Sequence, residues 1–587
     1  MAAALPRLVR RRFVPARFWS GNWGERLIWA AVALAVVAVA LVPLAVSLDT
    51  AFHAETRFGL SRLYSLVPFL YVYTSADYWG ALGQTVLLSA EVTVLSVAAG
   101  VAVAVLVART DLPHKPLLDL LVCLPMFISP FTGLISWVAL GSAKTGFINT
   151  GLQALFGYFG IALPGLVNIW SFQGTAWIMF LSFMPFVYLF TVGSLRSMDG
   201  ALEESARSVG AGPLRTLLSV TVPLCMPSIL VSGLIVFVLT AETYTIPGEI
   251  GTNAGFTVLS WQIFLDAAGT NVHQARAAAA STMLALVALA ALLFQRWVTR
   301  RSARYVTVTG KGFSGRLMRL GRWRPAALAS IGLYVLFATV LPFAALLLSS
   351  FLRNSTAVLT PGLLTLDHYR HFFNDQETLR SLTNTAFLAV AAAAICVAAG
   401  FVISFADVRR SGMLPKCVAV LSALPVAVPG LVYGIGILWA SLKSPFYGTV
   451  WVLLCAYVAK FVPFGVVMSR GGLQQIHPDL EGSARMSGAS PMRAVWHVTL
   501  PLMRLTLVSA AFCVMLLCIK ELSASAILYT TRSEVLSVLT WHYMDSGNYQ
   551  YAAAIGVIQT AMMIAIVGVL RAAFRIRLEQ TMGRGGS

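Results

Sequence analysis

FMPFVYLFTVGSLRSMDGALEESARSVGAGPLRTLLSVTVP, residues 183–223, returns without a gap as FVPFGVVMSRGGLQQIHPDLEGSARMSGASPMRAVWHVTLP, residues 461–501. Roughly 17 of the 41 aligned positions are identical, and self-similarity at one fixed shift is the mark of a duplicated unit. Shared apolar composition would match Leu, Val and Ala; here Phe, Pro, Glu, Arg and Gly also match. Elsewhere the shift is 300: Pro125 matches Pro425, and Gln84-Thr85 matches Asn384-Thr385. The first half therefore carries about 22 extra residues, within 141–166. An added amphipathic element is expected there, facing whatever docks on the outer surface.

The chain around the repeat is 58% hydrophobic and 11% charged over 587 residues, too little charge to solvate a soluble protein of this size. A lipid-buried helix needs about 20 apolar residues. Runs of that kind fall near 28–48, 84–108, 116–140, 168–193, 222–242 and 275–296, then 326–350, 381–406, 417–440, 448–469, 503–521 and 551–571. The expected fold is an all-α polytopic membrane protein of two repeated six-helix halves, about 12 spans in all. The run holding Pro125 and Pro130 needs neighbours to satisfy the carbonyls that proline frees. The first run is longer than a signal-peptide core and reads as a retained helix.

The formal charge of +19 sits at the ends of apolar runs, which speaks for membrane topology and against nucleic acid. Residues 295–325 hold nine Arg and Lys and no acid. That linker and both basic tails are placed in the cytoplasm. The expected organisation is a tail at 1–27, a first domain at 28–298, a linker at 299–325, a second domain at 326–572 and a tail at 573–587. The seven cysteines lack CxxC spacing and read as small buried hydrophobes, without disulfide or metal. No cofactor is expected.

The repeated block joins spans four and five, so the loops at 196–221 and 474–499 face the cytoplasm. Glu203 with Arg207, and Glu481 with Arg485, stand at i,i+4 in the favourable order. Ala206 and Ala484 are small enough for a surface to approach. Gly210 and Gly488 suit a helix end, and Pro213 and Pro491 a helix start. Each loop reads as a short helix, a glycine hinge and a second helix entering the membrane.

Glu204-Ser-Ala-x-x-x-Gly210 followed by Val220-x-Val222-Pro223 resembles the EAA loop of permease subunits of binding-protein-dependent ABC importers. The resemblance implies a coupling helix that seats in a partner ATPase. The second copy departs from the pattern: Gly482 stands at the Glu position and Glu481 one place earlier. It further implies two ATP-binding cassette subunits on the cytoplasmic side, an extracytoplasmic substrate-binding protein, and residence in a bacterial inner membrane with both termini inside. The chain has no GxxxxGK[ST] loop of its own; Gly310-Lys311-Gly312 and Ala143-Lys144-Thr145 lack the spacing. ATP hydrolysis is therefore assigned to other subunits and no catalytic residue to this one.

Ionisable residues within spans are costly and mark function. Glu242 ends span five and Lys520-Glu521 ends span eleven, near the outer membrane face. With Glu91 in span two, they are candidates for the pathway or gate; Lys460 in span ten is a further one. The stretches from Phe237 and from Ile519 resemble those of fused iron(III) permeases, with 2-aminoethylphosphonate, polyamine, sulfate and thiamine permeases as alternatives. His53, His368, His371 and His542 are scattered and read as surface or interface residues. A major-facilitator carrier shares the six-plus-six count, but its Gly-Asp-Arg-rich loop between spans two and three is here Arg-Thr-Asp-Leu-Pro-His-Lys (109–115). A membrane enzyme would need clustered nucleophiles or metal ligands.

Overall fold

A computed structural model describes residues 23–574 except 57–58, 160–164, 199–200, 270, 303–316, 355–360, 410–411, 424, 426–429 and 443. The N-terminal tail to Asn22, Gly310-Lys311-Gly312 and the C-terminal tail from Arg575 lie outside the described residues.

The first half contains helices at Trp23–Ala51, Ala76–Arg109, Phe172–Ser197, Pro213–Glu242 and Gln274–Ser302. These are spans one, two, four, five and six. Span three is a bent pair, Lys115–Phe127 and Pro130–Gly141, meeting at 92°. The second half follows suit with Gly321–Phe351, Gln376–Arg409, Val450–Gln474, Pro491–Ile519 and Tyr549–Phe574, spans seven, eight, ten, eleven and twelve. Span nine is again divided, into Met413–Ala423 and Gly430–Ser441. The architecture is almost wholly α-helical, with ten apolar helices of spanning length among the described residues and, at spans three and nine, divided helices where the sequence reading drew continuous ones. The cause lies in the prolines: Pro130 has no N–H to give the carbonyl of Met126, one turn back.

Two features join the halves. Span one packs on Gly430–Ser441 of the second half. There a Cβ on Gly436 would stand 2.0 Å from the Pro43 carbonyl, and the Tyr433 hydroxyl donates to the Ala40 carbonyl at 3.0 Å. Span seven packs in the matching way on Pro130–Gly141 of the first half. Within each half, spans two and four, and spans eight and ten, cross at a glycine: a Cβ on Gly100 would meet Val187, and one on Gly400 would meet the Gly465 backbone at 2.3 Å. Small residues let helices approach closely where lipid offers no hydrophobic drive to pack.

The extra segment of the first half forms a helix, Phe147–Gly157. Asn149 fastens it, donating to the carbonyls of Ser142 and Val167 and accepting from the Val167 N–H. An unexpected hairpin, His53–Thr56 with Gly59–Tyr64, precedes span two. Its Glu55 carboxylate accepts the N–H groups of Ala275 and Arg276 at the start of span six, a favourable place for negative charge.

Candidate functional site

Each repeated loop begins with a helix, Ala201–Ser208 in one half and Pro478–Met486 in the other. Both end on a glycine in the left-handed region, Gly210 at φ +87° and Gly488 at φ +88°. The N–H of Gly210 bonds the Arg207 carbonyl and that of Ala211 the Ala206 carbonyl; Gly488 and Ala489 repeat this on Arg485 and Ala484. This is a Schellman closure, which reuses the carbonyls that a helix end leaves open. Pro213 and Pro491 then open the next helix.

The glutamates take partners from distant helices. Glu203 turns inward, 4% exposed, and pairs at 3.2 Å with Arg109 at the end of span two. The Thr221 hydroxyl donates to it at 2.9 Å. Glu481 does the same with Arg409 at 3.1 Å and with Thr499 at 3.0 Å. A carboxylate out of water needs both charge and hydrogen bonds, and the long-range arginine and the threonine supply them. Glu204 remains exposed, as do Gly210 and Gly488, while Ala206, Arg207, Ala484 and Arg485 are half-buried. The shifted acid of the second copy thus occupies the equivalent of Glu203: Glu481 retains the buried role, and Gly482 leaves the exposed role of Glu204 without its acid. Thr221 and Thr499 sit at the ends of matched π-helical turns, Leu217–Thr221 and Val495–Thr499, a local widening frequent at functional positions.

Arg109, Arg409, Thr221 and Thr499 escaped the sequence reading. The available signal was their pairing under the two repeat shifts, 300 for the arginines and 278 for the threonines.

The intramembrane charges also converge in an unforeseen way. Lys460 lies ten residues into span ten, inside the bundle and away from the end where the reading put the gate. Its ammonium donates to Glu242 at 3.3 Å and to Glu521 at 3.0 Å. Glu242 also accepts the Gly430 N–H, and Glu521 that of Ala524. Lys520 turns away from this triad and donates a hydrogen bond to the Met126 carbonyl at 3.1 Å, the group that Pro130 orphans. Glu242 and Lys520 are repeat partners, and each reaches the break in the other half's divided span. The negative residue takes the N–H at a helix start; the positive one takes a carbonyl. Glu91 is not brought to this cluster: it is half-buried in span two and makes no hydrogen bond or ion pair among the described residues.

The histidines serve locally. His53 bonds Ser61 and Asp49, His368 bonds the Leu352 carbonyl, and His371 and His542 lie against Tyr551 and Tyr543. Of the cysteines, Cys417 and Cys455 are exposed on the bundle surface.

Two bundles with divided spans, two matched loops and a charged contact where the halves meet define a duplicated, membrane-embedded helical subunit. The chain belongs to the family described as binding-protein-dependent transport system inner membrane component, whose model matches residues 95–304 and 397–584. It is thus a multi-pass inner-membrane component of a binding-protein-dependent transporter. Among its relatives, the ferric transport system permease protein FbpB of Actinobacillus pleuropneumoniae is 27% identical over 83% of this chain and 70% of that one. The putative 2-aminoethylphosphonate transport system permease protein PhnV of Salmonella paratyphi A is 31% identical over 42% of this chain and 94% of its own length. A crystal structure of a bacterial ABC transporter importing the acidic polysaccharide alginate aligns with TM-score 0.36 at 16% identity, over 43% of this chain and 94% of that one.

Proposed function

We propose that the chain forms the whole conduit of an ATP-binding-cassette importer and moves iron(III), delivered by an external binding protein, into the cell. Its two domains span 28–298 and 326–572. The loops at 196–221 and 474–499 each seat one separate ATPase subunit on the cytoplasmic side, where both termini and the linker at 299–325 also lie. The observation that carries this reading is the doubled clamp of Glu203 with Arg109 and Thr221, and of Glu481 with Arg409 and Thr499. In each half it ties the loop helix to the end of span two or eight and to the start of the following span, so a push on the loop reaches the bundle. Glu204, Ala206, Arg207 and Gly210, with Ala484, Arg485 and Gly488, form the contact and its hinge. Glu242, Lys520 and Glu521 belong to the pathway; Glu91, apart from them, has the weakest support.

Iron is favoured over 2-aminoethylphosphonate because the ferric relative matches across both halves whereas the phosphonate relative matches one. The test is reconstitution in liposomes with the ATPase subunits and the binding protein carrying radiolabelled ferric iron. Uptake that requires ATP and all partners supports the reading. Transport by the chain alone down an ion gradient sinks it.

A further inference from the structure

We propose that Lys460 is a pin that holds the far ends of the two helices leaving the coupling loops, and that the conduit opens when Glu242 parts from it. The proposal rests on the permease reading and adds to it the residue that closes the path.

Span five runs unbroken in direction from Pro213 to Glu242, about 45 Å at 1.5 Å per residue. At its base Thr221 is bonded to Glu203 of the first loop helix; at its tip Glu242 meets Lys460. Span eleven repeats the plan, with Thr499 bonded to Glu481 at its base and Glu521 meeting Lys460 just beyond its tip. Two levers, one from each half, thus end on a single ammonium. The side chains of Lys460, Glu242 and Glu521 are only 16%, 13% and 7% exposed. An ammonium held away from water between two carboxylates is a contact of large consequence when broken.

The contact is asymmetric in a way that suits opening. Lys460 and Glu521 belong to the second half and Glu242 to the first, so separation of the halves leaves a neutral Lys460–Glu521 pair behind. It also frees one carboxylate to face the path. The residue that the repeat places opposite Lys460 is Ser182, which bonds the Ile178 carbonyl of its own helix, so the repeat supplies no second ammonium there. Lys520, the repeat partner of Glu242, is occupied by Met126 and does not compete for the carboxylates.

The experiment measures ATP hydrolysis by the full complex in lipid nanodiscs, with and without the binding protein. Lys460→Met and Glu242→Gln should raise hydrolysis without binding protein about three- to tenfold, because the closed population loses its differential stabilisation. Stimulation by the binding protein should fall towards unity. Should either variant fail to fold, the neutral triple variant Glu242→Gln/Lys460→Met/Glu521→Gln, which leaves no charge unpaired, decides. Lost stimulation in a monodisperse triple variant supports the pin, and stimulation equal to that of the unaltered complex overturns it. Hydrolysis is read without cargo, so failure of the unaltered complex to take up ferric iron would sink the substrate reading separately.

Discussion

Glu203 and Glu481 carry the proposed coupling, and their burial sets the size of the effects expected. Removing one partner of a buried ion pair costs about 3–5 kcal/mol. Arg109→Ala and Arg409→Ala should therefore each lower the thermal midpoint in detergent by several degrees and reduce uptake per ATP hydrolysed. Unchanged coupling in both would show that the clamps are incidental. Gly210 and Gly488 make a finer prediction. A Cβ at either meets nothing within 4 Å, so crowding is not the obstacle; the positive φ is. Asn, which tolerates that conformation, should preserve uptake at Gly210, while Val should impair it at a cost of about 1–2 kcal/mol. Equal activity of the Asn and Val variants would refute a conformational role for the glycine.

At the scale of elements, the crossings of spans two with four and eight with ten are fixed by backbone proximity. A Cβ on Gly465 would lie 2.2 Å from the Cys396 carbonyl oxygen, a group that cannot move without parting the helices. Gly465→Leu should thus abolish recovery of folded protein, whereas Gly193→Leu, with open space around its Cβ, should be recovered near the level of the unaltered chain. Size-exclusion profiles of the two variants check this. The twelve apolar runs and both loops were legible because each depends on local spacing: about 20 apolar residues for a span, glycine then proline for a helix end and start. The breaks in spans three and nine were legible only as a warning from proline. The 92° bend of span three brings the freed Met126 carbonyl to Lys520, a residue 394 positions away in the chain.

For the whole molecule, a pH response is expected from Glu534, between spans eleven and twelve. Glu534 is 7% exposed, and burial, then the nearby Glu377 charge, holds its carboxyl up at about 7 against an ordinary 4.5. The folded chain therefore keeps this proton longer than the unfolded chain does. Stability falls as pH rises from about 4.5 through about 7, and is greatest on the acid side. Glu534→Gln should flatten the difference in thermal midpoint between pH 5 and pH 8. A slope that persists in the variant would assign the response to other groups.

The sequence alone determined the class, the apolar spans, the duplication and the loops, because hydrophobic length, charge placement and repeat spacing are all written along the chain. It also named Glu242, Lys460 and Glu521 as ionisable residues of the apolar runs. Only the tertiary structure decided how buried charges pair: Arg109 with Glu203, Arg409 with Glu481, and Lys460 with both Glu242 and Glu521. The physical reason is that a buried charge takes whichever opposite charge the packing of distant helices brings near, and neither neighbourhood in sequence nor helical spacing encodes that distance.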